Sequence, residues 1–228
     1  MKYRGISRET LFLMSDNRFR DSRDFYEEHK EELKAGITEP MRDIAGIIGE
    51  ELSSLDPLMC TIPTKMVSRI RRDTRFTKDK RLYRDNMWIT FTRDKHKWRD
   101  YPCFWFEVTP AGYSMGVGFF GDIPAVTELL RSKMRDNPGK FLGIAKKCEE
   151  RGAVLIGAEY KRMPVGCPAG LENYYIHRDL GYIIESSNLD DIADEKIIGI
   201  IRENFKAFSP MYSYLLEIVE EYSTEVKE

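Results

Sequence analysis

The stretch from Cys103 to Phe119 constrains this chain more than any other. Cys103 to Thr109 is rich in aromatic and β-branched residues, which pack well on a pleated surface. Thr109-Pro110-Ala111-Gly112 follows, with proline where a type I turn needs its fixed φ. Tyr113, Met115, Val117 and Phe119 then alternate with smaller residues. Two such runs joined by a tight turn pair antiparallel, so a β-hairpin is expected here.

On both sides of the hairpin the sequence reads mainly as helix. Ser22 is placed to cap a helix through Phe25, Tyr26, His29 and Leu33, with Lys30 and Lys34 late, where the helix dipole favours cations, and Gly36 as its end. Thr38 is expected to cap a second helix, with Pro40 in its first turn and Met41, Ile44, Ile48 and Leu52 on one face. Ser53 to Pro63 reads as loop. Beyond the hairpin, Asp122 is expected to cap a helix carrying Val126, Leu130 and Met134. Asn137-Pro138-Gly139 breaks it, and a further helix runs through Phe141, Ala145 and Cys148 to Gly152. Short strands are expected at Ala153 to Ile156 and Gly181 to Glu185. Asn188 is expected to cap a helix through Phe208, and Ser209-Pro210 to start the last one. Strands clustered in the middle argue for an α+β fold: a central, mostly antiparallel sheet with helices at the N- and C-terminal ends. With 228 residues and neither internal repeat nor linker, residues 1–228 are expected to form a single domain.

Several classes are set aside. The most apolar short run, Ile197 to Ile201, is far below the roughly 20 residues a spanning helix needs, so no membrane association is expected. Cys60, Cys103, Cys148 and Cys167 lie far apart, the pattern of reduced thiols in a cytoplasmic protein, not of a disulfide framework or zinc site. His29, His96 and His177 share no metal-ligand spacing, so no metal is expected. Gly116-Val117-Gly118-Phe119-Phe120-Gly121 spells a dinucleotide fingerprint, but it falls inside the hairpin with bulky rings at its turn positions. The glycines are read as close packing within a strand, and no cofactor is expected. A reactive thiol at Cys167, near Lys161 and Arg162, is a minor alternative.

Charge supplies the functional pointer. The net charge is −2, yet Arg69 to Arg99 holds twelve basic and four acidic residues, while Leu171 to Glu228 holds five and thirteen. Such a split serves either an anionic partner or internal pairing. If Arg69 onward is extended, Arg69, Arg71, Asp73 and Arg75 share one face, and Ile70, Arg72, Thr74 and Phe76 the other. Clustered arginines in a cleft require internal carboxylates or a bound anion such as phosphate, which guanidinium forks suit. Trp88, Trp98 and Trp105 follow, interleaved with Arg93, Lys95, Lys97 and Arg99, a mixture that single-stranded nucleic-acid binders also use. The near-neutral overall charge favours a small anion over nucleic acid.

Arg69-x-x-Arg72-Asp73-x-Arg75-Phe76-x-x-Asp79-Lys80-x-x-Tyr83 resembles the signature of DUF2461, a family of bacterial proteins of about this length. Asn17-Arg18, Phe25-Tyr26-x-x-His29-Lys30, the glycines at 116–121 and Tyr160-Lys161-Arg162-x-Pro164 also resemble it, so the likeness covers most of the chain. It implies no activity, but it marks Arg69, Arg72, Asp73, Arg75, Asp79, Lys80 and Tyr83 as a unit and the candidate ligand-binding residues. Three functions compete for that unit: a binder of a phosphate-bearing or other small anion, an enzyme acting on such a substrate, and an internal ion-pair network in a structural protein.

Overall fold

The computed structural model describes residues 2–94, 99–121 and 123–225. Lys95, His96, Lys97 and Trp98 of the basic stretch, and the expected cap Asp122, lie outside the described residues. The fold is α+β, with an antiparallel sheet in the order β1-β2-β3-β5-β4. The strands are β1 (Met87–Phe91), β2 (Cys103–Thr109), β3 (Gly112–Phe119), β4 (Val154–Ile156) and β5 (Leu180–Ser186). The hairpin thus falls where its alternation and turn place it. Helices α1 (Arg8–Arg20), α2 (Arg23–Leu33), α3 (Glu39–Leu52) and α4 (Pro63–Met66) precede the sheet. Helices α5 (Pro124–Asp136), α6 (Pro138–Glu149) and α7 (Glu172–Tyr175) lie between its strands in sequence, and α8 (Lys196–Glu225) closes the chain. No helix among the described residues is long and apolar enough to cross a membrane.

By packing, the chain divides into two compact units, each drawn from three stretches of sequence. The first comprises 1–91, 105–115 and 185–202. Its core includes Leu11, Met14, Leu33, Ile37 and the α3 face of Met41, Ile44, Ile48 and Leu52, all buried. Helix α1 escapes the sequence reading for a physical reason: Leu11 and Met14 are buried while Phe12 and Phe19 are exposed, so no clean apolar stripe marks it. Its N-cap is Ser7, whose hydroxyl accepts from the Thr10 amide at 3.2 Å.

The expected break at Gly36 does not occur. A π-helical turn, Lys34–Thr38, carries α2 directly into α3, and Thr38 is helical with no capping bond. Gly36 is needed for a different reason, since a Cβ there would lie 2.4 Å from Thr10 Oγ1. Alanine would gain about 1 kcal/mol of helix propensity, against about 1–3 kcal/mol for overpacking. Gly36→Ala is therefore expected to lower stability by about 1 kcal/mol, and Thr10→Ala in the same chain to restore it. A thermal-denaturation double-mutant cycle reads both. The π turn also alters the phase of the helix. Residues four apart over-rotate by about 40° per step in an α-helix, and a wider i→i+5 turn takes part of that excess back. Tyr26, Lys30, Lys34, Thr38 and Arg42, each four residues from the last, thereby stay on one side of the rod.

The second unit comprises 92–104, 116–184 and 203–228. Phe104, Phe141, Phe205, Phe208 and Tyr212 are buried in its core. A Cβ at Gly118 would lie 2.7 Å from Gly181 Cα, so the glycine-rich run allows two neighbouring strands, β3 and β5, to approach closely. Two helix expectations are corrected at the C-terminus. Asn188 caps only a 3₁₀ turn, Leu189–Ile192, and Pro210 sits inside α8 instead of starting a new helix. An interior proline costs about 3 kcal/mol, but Phe205, Phe208, Met211, Tyr212 and Leu215 keep one buried face across it, and that burial outweighs the cost.

Candidate functional site

The basic motif begins as an extended segment laid antiparallel against the approach to β1. The Ser68 amide donates to Trp88 O at 2.8 Å, the Arg84 amide to Ile70 O at 2.9 Å and the Arg72 amide to Leu82 O at 2.7 Å. Alternation then decides exposure: Ser68 and Ile70 are buried, while Arg69 and Arg71 are exposed on the opposite face. Pairing with the return segment ends at Arg72, and the remainder of the motif is held by side chains.

Asp79 is the hub of that second half. Its carboxylate accepts from Arg72 Nη1 at 2.6 Å, Arg18 Nη2 at 3.1 Å, and Arg81 Nε and Nη2 at 3.0 Å. Arg18 also donates to the Tyr83 carbonyl at 2.8 Å, and Asp21 accepts from the Leu82 amide at 2.6 Å. The Arg81 contacts first, then Arg72, hold the Asp79 carboxyl far below the usual carboxylate range. Asp73 forms a separate pair with Arg75 at 2.6 Å, which lowers its carboxyl to about 2. Lys80 Nζ caps the Thr74 carbonyl at 2.9 Å. Tyr83 is buried and stacked on Tyr26 with centroids 4.7 Å apart, and burial raises its hydroxyl. Arg84, lowered chiefly by burial, stands 4.5 Å over the Trp88 ring.

The seven residues marked in the sequence are therefore not brought to one point. Arg72 and Asp79 meet in the hub, Asp73 and Arg75 meet each other, Lys80 braces backbone and Tyr83 lies in the packing. Arg69 alone of the seven opens onto a groove, where it is joined by Arg71. That groove, of about 440 Å3, has the extended segment as one wall and the Tyr26–Arg42 ladder of the helical rod as the other. The ladder cations have local carboxylates, each three residues earlier: Lys30 with Glu27 at 3.0 Å, Lys34 with Glu31 at 3.6 Å and Arg42 with Glu39 at 2.6 Å. The buried Nε of Arg42 has no partner. Neither Arg69 nor Arg71 has a carboxylate partner among the described residues.

Lys30, Lys34, Arg42 and Arg71 were not among the marked residues. The signal was the four-residue spacing of the ladder, hidden because Lys30 and Lys34 read as cations complementing a helix end that does not exist. The other candidates gain nothing from the geometry. Burial raises the Cys167 thiol, with Glu172 adding to it, the opposite of an activated thiol. Burial also pushes the Cys103 and Cys148 thiols up to about 12. Among the described residues no group of three or more His, Cys, Asp or Glu side chains is placed to hold a metal ion.

The family model described as Conserved hypothetical protein (DUF2461) matches residues 9–214, a span that contains both walls of the groove. No curated protein matches the chain.

Proposed function

Because the chain belongs to the DUF2461 family, whose description assigns no activity, we propose from the groove itself that the protein binds a small phosphate-bearing anion there, in the bacterial cytoplasm. One observation carries this reading: two guanidiniums, Arg69 and Arg71, enter a groove with three further cations and have no carboxylate of their own among the described residues. Placing like charges together is unfavourable unless an anion joins them, and guanidinium forks match phosphate oxygens geometrically. The groove walls carry cations and the threonines Thr38 and Thr64 but, among the described residues, no carboxylate or imidazole, which favours binding over catalysis. The Asp79 hub then serves the site indirectly, by fixing the segment that presents Arg69 and Arg71.

The test is calorimetric titration of inorganic phosphate and small phosphorylated compounds at two salt concentrations. Arg71→Ala and Arg69→Ala are each expected to weaken binding about tenfold, roughly the value of one charge-assisted contact. Arg75→Ala, whose guanidinium is already paired outside the groove, is expected to leave affinity unchanged. Wild-type protein that binds none of these anions would overturn the reading, as would equal losses in all three variants.

A further inference from the structure

Resting on that reading, we infer that the ligand class is a small phosphomonoester in its dianionic form, and not a diester, a sulfate ester or a nucleic acid. Three of the five groove cations, Lys30, Lys34 and Arg42, already face Glu27, Glu31 and Glu39, which leaves the two charges of Arg69 and Arg71 to be met. A phosphomonoester above its second pKa, about 6, supplies that charge on one compact group, whereas a diester or sulfate ester supplies half of it.

Helix α2 carries Glu27 and Glu31, both exposed and ion-paired to Lys30 and Lys34 at the edge of the groove. A small anion sits within the cationic strip, but the flanking phosphates of a polymer would meet these carboxylates, and the overall charge of −2 offers no compensation. Tyr26, backed by its stack on Tyr83, lines the same space, and its ring suits an organic moiety attached to the phosphate.

The pH dependence isolates the ligand from the protein, because the two have opposite signs. The titratable groups around the site are Glu27, Glu31, Glu39 and His29 on the rod, Lys30, Lys34 and Arg42 beside them, Arg69 and Arg71 opposite, and Tyr83 beneath. As pH falls, any proton the protein takes up adds positive charge to the site, whether by neutralising a carboxylate or by charging a base. Both changes strengthen anion binding. Only protonation of the ligand to its monoanion weakens it.

Phenyl phosphate and phenyl sulfate are the probes, titrated into the full chain by calorimetry. Phenyl phosphate is expected to bind about tenfold more weakly at about pH 5 than at about pH 7.5, the ratio set by a second pKa near 6. Phenyl sulfate, a monoanion throughout, is expected to bind at least tenfold more weakly at about pH 7.5 and to show no loss at low pH. Arg71→Ala should narrow the gap between the two probes. If both esters bind equally, independently of pH and through Arg71, the dianion assignment is overturned while the anion groove stands. If neither binds, both fall.

Discussion

Replacing Phe104 by alanine is expected to remove about 3–5 kcal/mol of unfolding free energy, the range for a large aromatic deleted from a core that cannot collapse around the gap. Phe104 is fully buried on β2, and its ring centroid lies 4.8 Å from those of both Phe205 and Tyr212. Those partners stand on either side of Pro210 in α8, where the ring prevents a normal helical hydrogen bond. The helix runs through because the apolar face on both sides is packed, so removing the ring should loosen α8 at that point first. Urea denaturation of Phe104→Ala reads the global loss, and amide exchange around residues 205–212 reads the local one. A smaller loss in Phe104→Leu, with protection in α8 retained, separates the cavity from a general effect of substitution. A cost below about 1 kcal/mol for the alanine would mean that Phe104 does not hold the proline-containing segment.

How much of this was legible in the sequence depends on the range of the interaction involved. The hairpin was legible because alternation and the Thr109–Gly112 turn are local, and β2 runs over the expected residues, Cys103–Thr109. The α3 face was legible because Met41, Ile44, Ile48 and Leu52 repeat with the helical period and all are buried. Gly36 and Pro210 were misread because both carry strong local signals that distant contacts overrule. At Gly36 the contact is the Thr10 side chain on α1, and at Pro210 it is the aromatic core around Phe104. The same limit applies to the candidate site. Alternation correctly placed Arg69 and Arg71 on one face, but it was extended to Asp73 and Arg75, beyond Arg72, where strand-like pairing ends. Which arginine meets which carboxylate depended on Arg18, far away in sequence, and the second wall of the groove depended on a π turn with no recognised sequence signature.

Asp79 and Asp73 are expected to respond differently to the same substitution, although hydrogen bonds lower both carboxyls. Asp79→Asn leaves the guanidiniums of Arg18, Arg72 and Arg81 around an uncharged group, and Arg18 and Arg72 are only 15% and 16% exposed. Asp73→Asn releases Arg75, whose side chain is 76% exposed and already hydrated. An exposed pair is screened by water and contributes little, so Asp73→Asn should leave the melting temperature nearly unchanged while Asp79→Asn lowers it clearly. The neighbouring change Arg18→Ala also removes the donor to the Tyr83 carbonyl, and is expected to cost about 1–3 kcal/mol for the acceptor left behind. The pH dependence follows from the direction of the Asp79 shift. Its carboxyl titrates far lower in the folded chain than the ordinary value of about 3.9, so its stabilisation is fully present above about pH 4. That stabilisation is lost as pH falls below 4 towards the depressed folded value. Melting temperatures of wild type and Asp79→Asn should therefore be well separated at neutral pH and converge as pH falls from about 4 to about 2. Curves that stay parallel through that range would mean that the hub holds the motif by shape alone, without its charge.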